Sequence, residues 1–544
     1  MGIPSYFSYI VRNYPHIIRR FNTYELLVDC LYLDSNSIIY DAVKSQKCQS
    51  TTKSIIDDVI EKISIYIKTI SPKKLVYIAF DGVAPIAKLE QQRQRRYKSW
   101  YQCKIMSSIK KTTIKTTVTK DIVDIVDIVE WNTCQITPGT QFMDELNRQV
   151  RDHFENPNII SSFQVDSIIV STSAEQGEGE HKIFHHIRNL SNSDYTHIVY
   201  GLDADLIMLS INHLPKSPKI YLFRETPEFI KSIRQDLEPN ETYLMDINEL
   251  TNIITNDMND RTICAVTTNR IYDYIFLCFF LGNDFMPHFP ALNIRTGGID
   301  KLLNAYRSTI GKKPIVLTDG RIIYWENVMI LVKWLSINEK TFFIDEVLLR
   351  NKKERNGHNI PEDTVENKWR KIENIPTYDR ELEKYIEPNK DGWERRYYKV
   401  LFQMKSKDME SQIPEVVINY VEGLEWTMRY YTGDCIDWTW KYKYSYPPLL
   451  CDILKYGDKS ITKIRFKEDT SSVSELVQLC YVVPRSGFVF LPMKLQKYLS
   501  KYDELYPENC EFIWAFCRYF WESHAVLPEL PMSFIEEIIA EYLK

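Results

Sequence analysis

The sequence predicts an α/β protein: a mainly parallel, twisted sheet flanked by helices, with a second α+β region packed on it. Three observations carry this. Short apolar runs rich in β-branched and aromatic residues alternate with longer segments of helical apolar spacing, the pattern of strands buried on both faces and joined by helical crossovers. Three of the runs deliver an aspartate at or near their C-terminal end, where open parallel sheets gather ligands. A polar zone rich in Lys, Glu and Asn, from Asn338 to Asn389, then gives way at Ile413 to an aromatic-dense stretch reaching Lys544. These shifts place domain changes near 310 and 410, giving an α/β core at 1–310, a mainly helical connector at 311–410 and a second, aromatic-rich region at 411–544 expected to pack on that core.

In chain order, the run Tyr24–Leu33 ends at Asp34 and predicts the first strand. Residues 55–70 have helical apolar spacing with charges between. The run Lys74–Phe80 predicts a second strand and ends at Asp81. Between 105 and 131 the composition changes to a Thr/Lys-rich stretch and a DIVDIVDIVE repeat. Its period of three suits neither helix nor strand, so a loop insertion is expected there. Pro138-Gly139 makes a turn and Thr140 is placed to cap the following helix. A third strand, His197–Tyr200, precedes Asp203 and Asp205, and the helix Tyr272–Phe280 stops at Gly282-Asn283-Asp284.

At 544 residues, with 44% apolar and 26% charged residues, the chain is long enough for two or three domains with a sizeable core. A net charge of −5 excludes a uniformly basic nucleic-acid binder, though not a local basic patch. The eleven cysteines form no pair at zinc-ligand spacing, as expected of reduced thiols in an intracellular protein. No signal peptide is evident, Tyr6 breaks the myristoylation pattern that starts at Gly2, and no run reaches the ~20 apolar residues of a membrane span. A soluble protein is expected, cytoplasmic rather than nuclear and without a membrane partner.

The chemistry concentrates in THIVYGLDADLIML, residues 196–209. On an extended segment Asp203 and Asp205 lie on one side, and like charges amid apolar residues call for a counter-charge such as a divalent cation. An N-cap plus a solvated carboxylate is an equal alternative on this stretch alone. Glu178 and Glu180 flank a glycine at the start of a helical run. Capping explains carboxylates there, but two glycines weaken a helix and permit close approach to a ligand. With Asp34, Asp81 and Asp284 the set reaches seven carboxylates. Such a set suits a hydrolase using two divalent cations about 4 Å apart. Hard oxygen donors without a Cys/His cluster select Mg²⁺ or Mn²⁺. The count alone does not separate nuclease from phosphatase. In a helical APIAKLEQQRQRRYKSW, Lys88, Gln92, Arg95 and Arg96 share one face. Starting seven residues after Asp81, that face suits a terminal phosphate better than a merely solvated helix surface.

The motifs MGIPSYFSYI, LYLDSNSII, AFDGVAPIAKLEQQRQRR, ITPGTQFM, GEGEHKI, YGLDADLIML and LGNDFMPHFPAL occur in this order over most of residues 1–300. Together they resemble the 5′→3′ exoribonucleases of the Xrn/Rat type. The resemblance implies a PIN/flap-nuclease-like core. It also implies metal-site roles for Asp34, Asp81, Glu178, Glu180, Asp203, Asp205 and Asp284, and a 5′-monophosphate pocket made by Lys88, Gln92, Arg95 and Arg96. The implied substrate is single-stranded RNA bearing a 5′-monophosphate. The stretch Tyr420–Pro448 and the closing LPELPMSFIEEIIAEYL resemble the family's second region, so a minimal nuclease core is expected. Three positions depart from the family: Tyr40 stands for a histidine associated with base stacking, Ser37 for a glycine, and Gln176 for a proline. Tyrosine still stacks, although it carries no positive charge near neutral pH. Either Trp438 or Trp440 is expected to supply a second stacking wall, with ordinary core packing as the alternative. Two other readings stand beside an exoribonuclease: a flap-type or DNA exonuclease on the same core, and an RNA-binding scaffold without catalysis.

Overall fold

The computed structural model describes residues 5–21, 26–45, 51–117, 131–192, 194–259, 270–357 and 360–544. Its centre is a seven-stranded sheet of β1 (Ile18–Arg20), β2 (Cys30–Asp34), β3 (Leu75–Ala79), β4 (Ser167–Ser171), β5 (His197–Tyr200), β6 (Ile220–Glu225) and β7 (Thr242–Asp246), in the order β1-β7-β6-β5-β2-β3-β4. The five strands from β6 to β4 run parallel, and β7 and β1 add an antiparallel edge. The chain winds outward from β2 through β3 to β4, then returns to β5 on the other side of β2. That reversal makes a topological switch point between β2 and β5, where such sheets form crevices.

The strands read as unbroken apolar runs because both faces are covered. Alternate residues point to opposite sides: Tyr32, Tyr77 and Val199 pack into one core, Leu31, Leu33, Ile78 and Ile198 into the other. Helices α1 (Tyr6–Asn13), α7 (Gly179–Asn189) and α8 (Asp205–His213) cover the first face. Helices α2 (Asn36–Ser45), α3 (Thr52–Ile70) and α5 (Gln141–Phe154) cover the second. Helix α3 begins at a capping box between Thr51 and Ser54, and Thr140 caps α5 through its hydroxyl.

Two expectations change. The first strand is shorter than the Tyr24–Leu33 run: it starts at Cys30, and Leu27 is exposed. Helix α4 (Ile86–Thr117) runs on for 32 residues, so the first part of the segment expected as an inserted loop from 105 is helical. The remainder, with the DIVDIVDIVE repeat, lies outside the described residues. α6 (Pro157–Phe163) leads into β4.

Beyond Gly298 the described structure is mostly helical, with one two-stranded sheet, Glu511–Ile513 against His524–Val526. The core on the first face is continuous across residue 310: Leu331 and Leu335 of helix Trp325–Gly357 and Val417, Tyr420 and Leu424 of helix Met409–Thr432 join it. The nine described cysteines are free thiols, and no described helix is long and apolar enough to cross a membrane.

Candidate active site

All seven carboxylates expected from the sequence converge beyond the carboxyl ends of the parallel strands. Asp34 closes β2, and Asp81 follows β3 by one residue past Phe80. Asn36, on the first turn of α2, holds Asp81 twice: its Nδ2 donates to Oδ2 at 2.6 Å, and its Oδ1 accepts the Asp81 N–H at 3.0 Å. The Gly179 N–H donates to the other Asp81 oxygen at 2.7 Å. A β-carbon on Gly179 would sit 2.8 Å from Asp34 Oδ1 and 3.4 Å from Asp81 Oδ1, so only glycine lets the Glu178–Glu180 turn approach these acids. Gly177, just before, adopts φ +99°, a left-handed conformation that favours glycine.

The capping alternatives fail on geometry. Glu178 occupies the N-cap position of α7 without a side-chain capping bond. Its Oε1 accepts the Tyr430 hydroxyl at 3.0 Å instead, and its Oε2 pairs with Lys88. Asp203 and Asp205 do not share one side of an extended segment, as the sequence reading supposed. β5 ends at Tyr200, Asp203 lies in the loop before the bend at Ala204 and accepts the N–H of Ala204, and Asp205 is the first residue of α8. The turn still brings them together, because each acts electrostatically on the other acids of the site.

Glu178, Glu180, Asp205 and Asp284 are 3, 7, 2 and 9% exposed. Burial penalises their ionised forms, and neighbouring carboxylates add to the penalty. Burial first, then Asp81 and Asp203, push Asp34 well above the ordinary carboxylate range. Burial and Asp205 do the same to Glu180. Asp205 is pushed up to about 8 by burial, Asp284 and Asp203. Lys88, 13% exposed, is the local counterweight: its Nζ contacts Glu178 and lies 2.7 Å from Asp284. Burial would lower the Lys88 pKa, yet Asp284 and Glu178 outweigh it and hold the ammonium charged. Burial would likewise raise Asp284, but Lys88 holds it below the usual carboxylate range.

Among the described residues Lys88 contacts two of the seven acids, which outnumber the cations beside them. Asp205 Oδ1 is buried without a hydrogen-bond partner, and ligand atoms of Glu178, Glu180 and His181 lie within 4.8 Å of one another. Hard oxygens in excess, one of them orphaned, fit a divalent cation.

On α4 the basic residues divide their tasks. Arg96 donates to the carbonyls of Cys134 and Ile136 at 3.4 and 3.3 Å and to Thr137 Oγ1 at 2.5 Å, so its fork is engaged by the ITPG turn. Half-buried Arg95 makes no hydrogen bond or ion pair among the described residues. Burial would lower its pKa, but Tyr40, Asp284, Asp203 and Asp81 together raise it. Buried Gln92 carries an unpartnered Oε1. Tyr40, on α2, is half-buried and faces Arg95 electrostatically. The two tryptophans separate cleanly. Trp440 is buried and stacks on Trp426 at 5.1 Å, whereas Trp438 is half-exposed and its carbonyl accepts the N–H of Ile86 at the start of α4. Core packing therefore accounts for Trp440.

Several residues of the site escaped the sequence reading. Tyr430 and Tyr431 reach Glu178 and Asp205 from some 220 to 250 positions away. His181 stacks on Tyr430 at 3.7 Å. Buried Lys182 donates to the Phe80 and Thr172 carbonyls at 2.9 and 2.7 Å, bracing the ends of β3 and β4. The repeated GEGEHK pattern drew attention to its acids alone, while the partner carbonyls of Lys182 became visible only in the fold.

Residues 1–226 match the family described as XRN 5'-3' exonuclease N-terminus, and residues 266–383 and 363–538 match the one described as Xrn1 helical domain. Among curated proteins, the chain is 26% identical to 5'-3' exoribonuclease 2 of Gallus gallus, over 97% of this chain and 68% of that protein. It is 26% identical to 5'-3' exoribonuclease 2 of Arabidopsis thaliana, over 99% and 66%. Identity to 5'-3' exoribonuclease 1 of Saccharomyces cerevisiae is also 26%, over 93% and 40%. The chain thus spans about two thirds of the type 2 relatives and well under half of the yeast type 1 protein.

Proposed function

The chain belongs to the XRN 5'-3' exonuclease family, and from that premise we propose that it degrades 5′-monophosphorylated single-stranded RNA from the 5′ end, releasing mononucleotides. The observation that supports this most is the convergence of seven carboxylates around Lys88, beside Arg95 of α4, which has no hydrogen-bond or ion-pair partner among the described residues. Asp34, Asp81, Glu178, Glu180, Asp203, Asp205 and Asp284 would hold two Mg²⁺ or Mn²⁺ ions. Those ions supply Lewis acidity and a nucleophile at neutral pH. The protein's own share is placement. Asn36 and the Gly179 N–H fix both oxygens of Asp81, Tyr430 and Lys88 fix Glu178, and Lys88 keeps Asp284 ionised for binding. Arg95 and Gln92 offer a fork and an amide to a terminal phosphate, while Arg96 stiffens that pocket through its carbonyl contacts. Tyr40 and Trp438 supply aromatic faces for bases.

A larger 5′ group brings more negative charge than the Arg95 guanidinium matches, which favours a monophosphate. The test compares 5′-monophosphorylated with 5′-triphosphorylated RNA, and single-stranded DNA, in Mg²⁺ and in chelator. Rapid loss of the monophosphorylated RNA alone, abolished by Asp203→Ala, is expected. Equal degradation of all three substrates would overturn the reading.

A further inference from the structure

The segment from Lys463 to Ser474 has neither helix nor strand and is largely exposed, yet it is tied to both halves of the site. The Lys467 N–H donates to Asp437 Oδ2 at 3.0 Å. Asp437 is buried, and its other oxygen accepts the Thr439 N–H and hydroxyl, each at 2.8 Å. The Trp438 N–H donates to Thr470 Oγ1 at 2.9 Å. Further along, the Ser472 hydroxyl donates to Gln176 Oε1 at 3.1 Å, two residues before Glu178.

Trp438 carries a half-exposed side chain. It borders a cavity of about 360 Å³ lined also by Ala84, Ile86, Lys441, Lys467 and Ser472. Its backbone is what is held: the carbonyl by Ile86 at the start of α4, the N–H by Thr470. We propose that residues 463–474 form a positioning strap, in which Thr470 and the Ser472–Gln176 bond set Trp438 against α4 and the Glu178 turn, and so set its grip on RNA. This rests on the reading of Trp438 as the stacking wall. Thr470, Ser472 and Gln176 are positioning residues that act through the indole.

Steady-state kinetics on 5′-monophosphorylated oligoribonucleotides test the strap. Thr470→Val removes the acceptor at near-constant volume, and KM should rise about fivefold, the size of one lost hydrogen bond, with kcat nearly unchanged. Thr470→Ser keeps the oxygen and should restore KM, and Ser472→Ala should give a smaller rise. In a Trp438→Ala background neither substitution should add anything, which a merely structural role would not produce. If Thr470→Val fails to fold, the surface variant Ser472→Ala carries the same cycle. An unchanged KM, a change confined to kcat, or an effect undiminished without Trp438 would overturn the strap. A Trp438→Ala protein with normal KM would instead remove the stacking reading, and the strap's role with it.

Discussion

The protein buries two clusters of charge, and they are built on opposite principles. In the helical region Arg350 forms a bidentate pair with Glu383, at 2.8 and 2.7 Å. Arg380 donates to Glu383 at 2.6 Å and to Glu354 at 3.1 Å. The Phe516 N–H and the Cys517 carbonyl take up further capacity at 2.7 and 2.9 Å. Positive and negative groups are nearly matched, although Arg380 Nη2 is buried without a partner, and the cluster joins helix Trp325–Gly357, helix Glu381–Ile386 and the 516–517 turn. At the strand ends, among the described residues, seven carboxylates face Lys88 with less compensation, and Asp205 keeps an orphaned oxygen. Buried ionisable groups are common to both. What differs is the balance of sign, and a buried excess of one sign marks where a ligand of the other sign is required.

The sharpest way to break this comparison is a pair of substitutions expected to act in opposite directions. Asp205→Ala should lower RNA hydrolysis by more than about a hundredfold, beyond the loss typical of a group that only orients a metal ligand. It should leave the melting temperature without metal unchanged or raised, since burial and the neighbouring acids already oppose its charge. Glu383→Ala should cost roughly 3–5 kcal/mol of stability by stranding two guanidinium groups, read in urea or thermal unfolding. A stable Glu383→Ala protein would erase the distinction.

Arg95→Ala comes next. Its guanidinium has no partner to lose among the described residues, so stability should be unaffected. Use of monophosphorylated ends should fall about tenfold to a hundredfold, as for loss of a charge-assisted bond worth about 1.5–3 kcal/mol. Arg96→Ala, by contrast, strips three oxygen contacts from the ITPG turn and should lower the melting temperature as well.

The smallest effect is a pH dependence. Asp34, Glu178, Glu180 and Asp205 have folded-state pKa values raised, chiefly by burial, Asp205 to about 8. Between the ordinary carboxylate pKa and about 8 the folded protein therefore binds more protons than the unfolded chain, and stability without metal falls as pH rises. A bound cation reverses the sign by favouring the ionised forms. The Mg²⁺-induced rise in melting temperature should grow from mildly acidic pH up to about 8, and calorimetry should show proton release. A Mg²⁺ shift independent of pH would mean that the acids are already compensated.

Much of this site was legible because its signals are local. Apolar runs that stop at Asp34 and Asp81, a glycine between two glutamates, and basic residues at helical spacing each follow from a few neighbouring residues. The W-x-W spacing of Trp438 and Trp440 shows the limit. Residues two apart carry no local mark of which one meets Trp426, and the sequence left the pair open where the fold buries Trp440. The LDADL turn differs for a related reason: α8 begins at Asp205 because Leu206, Ile207 and Leu209 have a helix-shaped place to pack against β6 and the neighbouring helices.

By itself, then, the sequence determined the α/β class, the acids, the basic helix and the family resemblance, since periodicity, turn chemistry and motif order are properties of short stretches. The tertiary structure decided the rest. It brought Tyr430 and Tyr431 from a distant helix onto Glu178 and Asp205, divided Arg95 from Arg96, and tied Trp438 to Thr470. Those choices depend on which surfaces remain after the cores on the two sheet faces have filled, and no local pattern encodes that remainder.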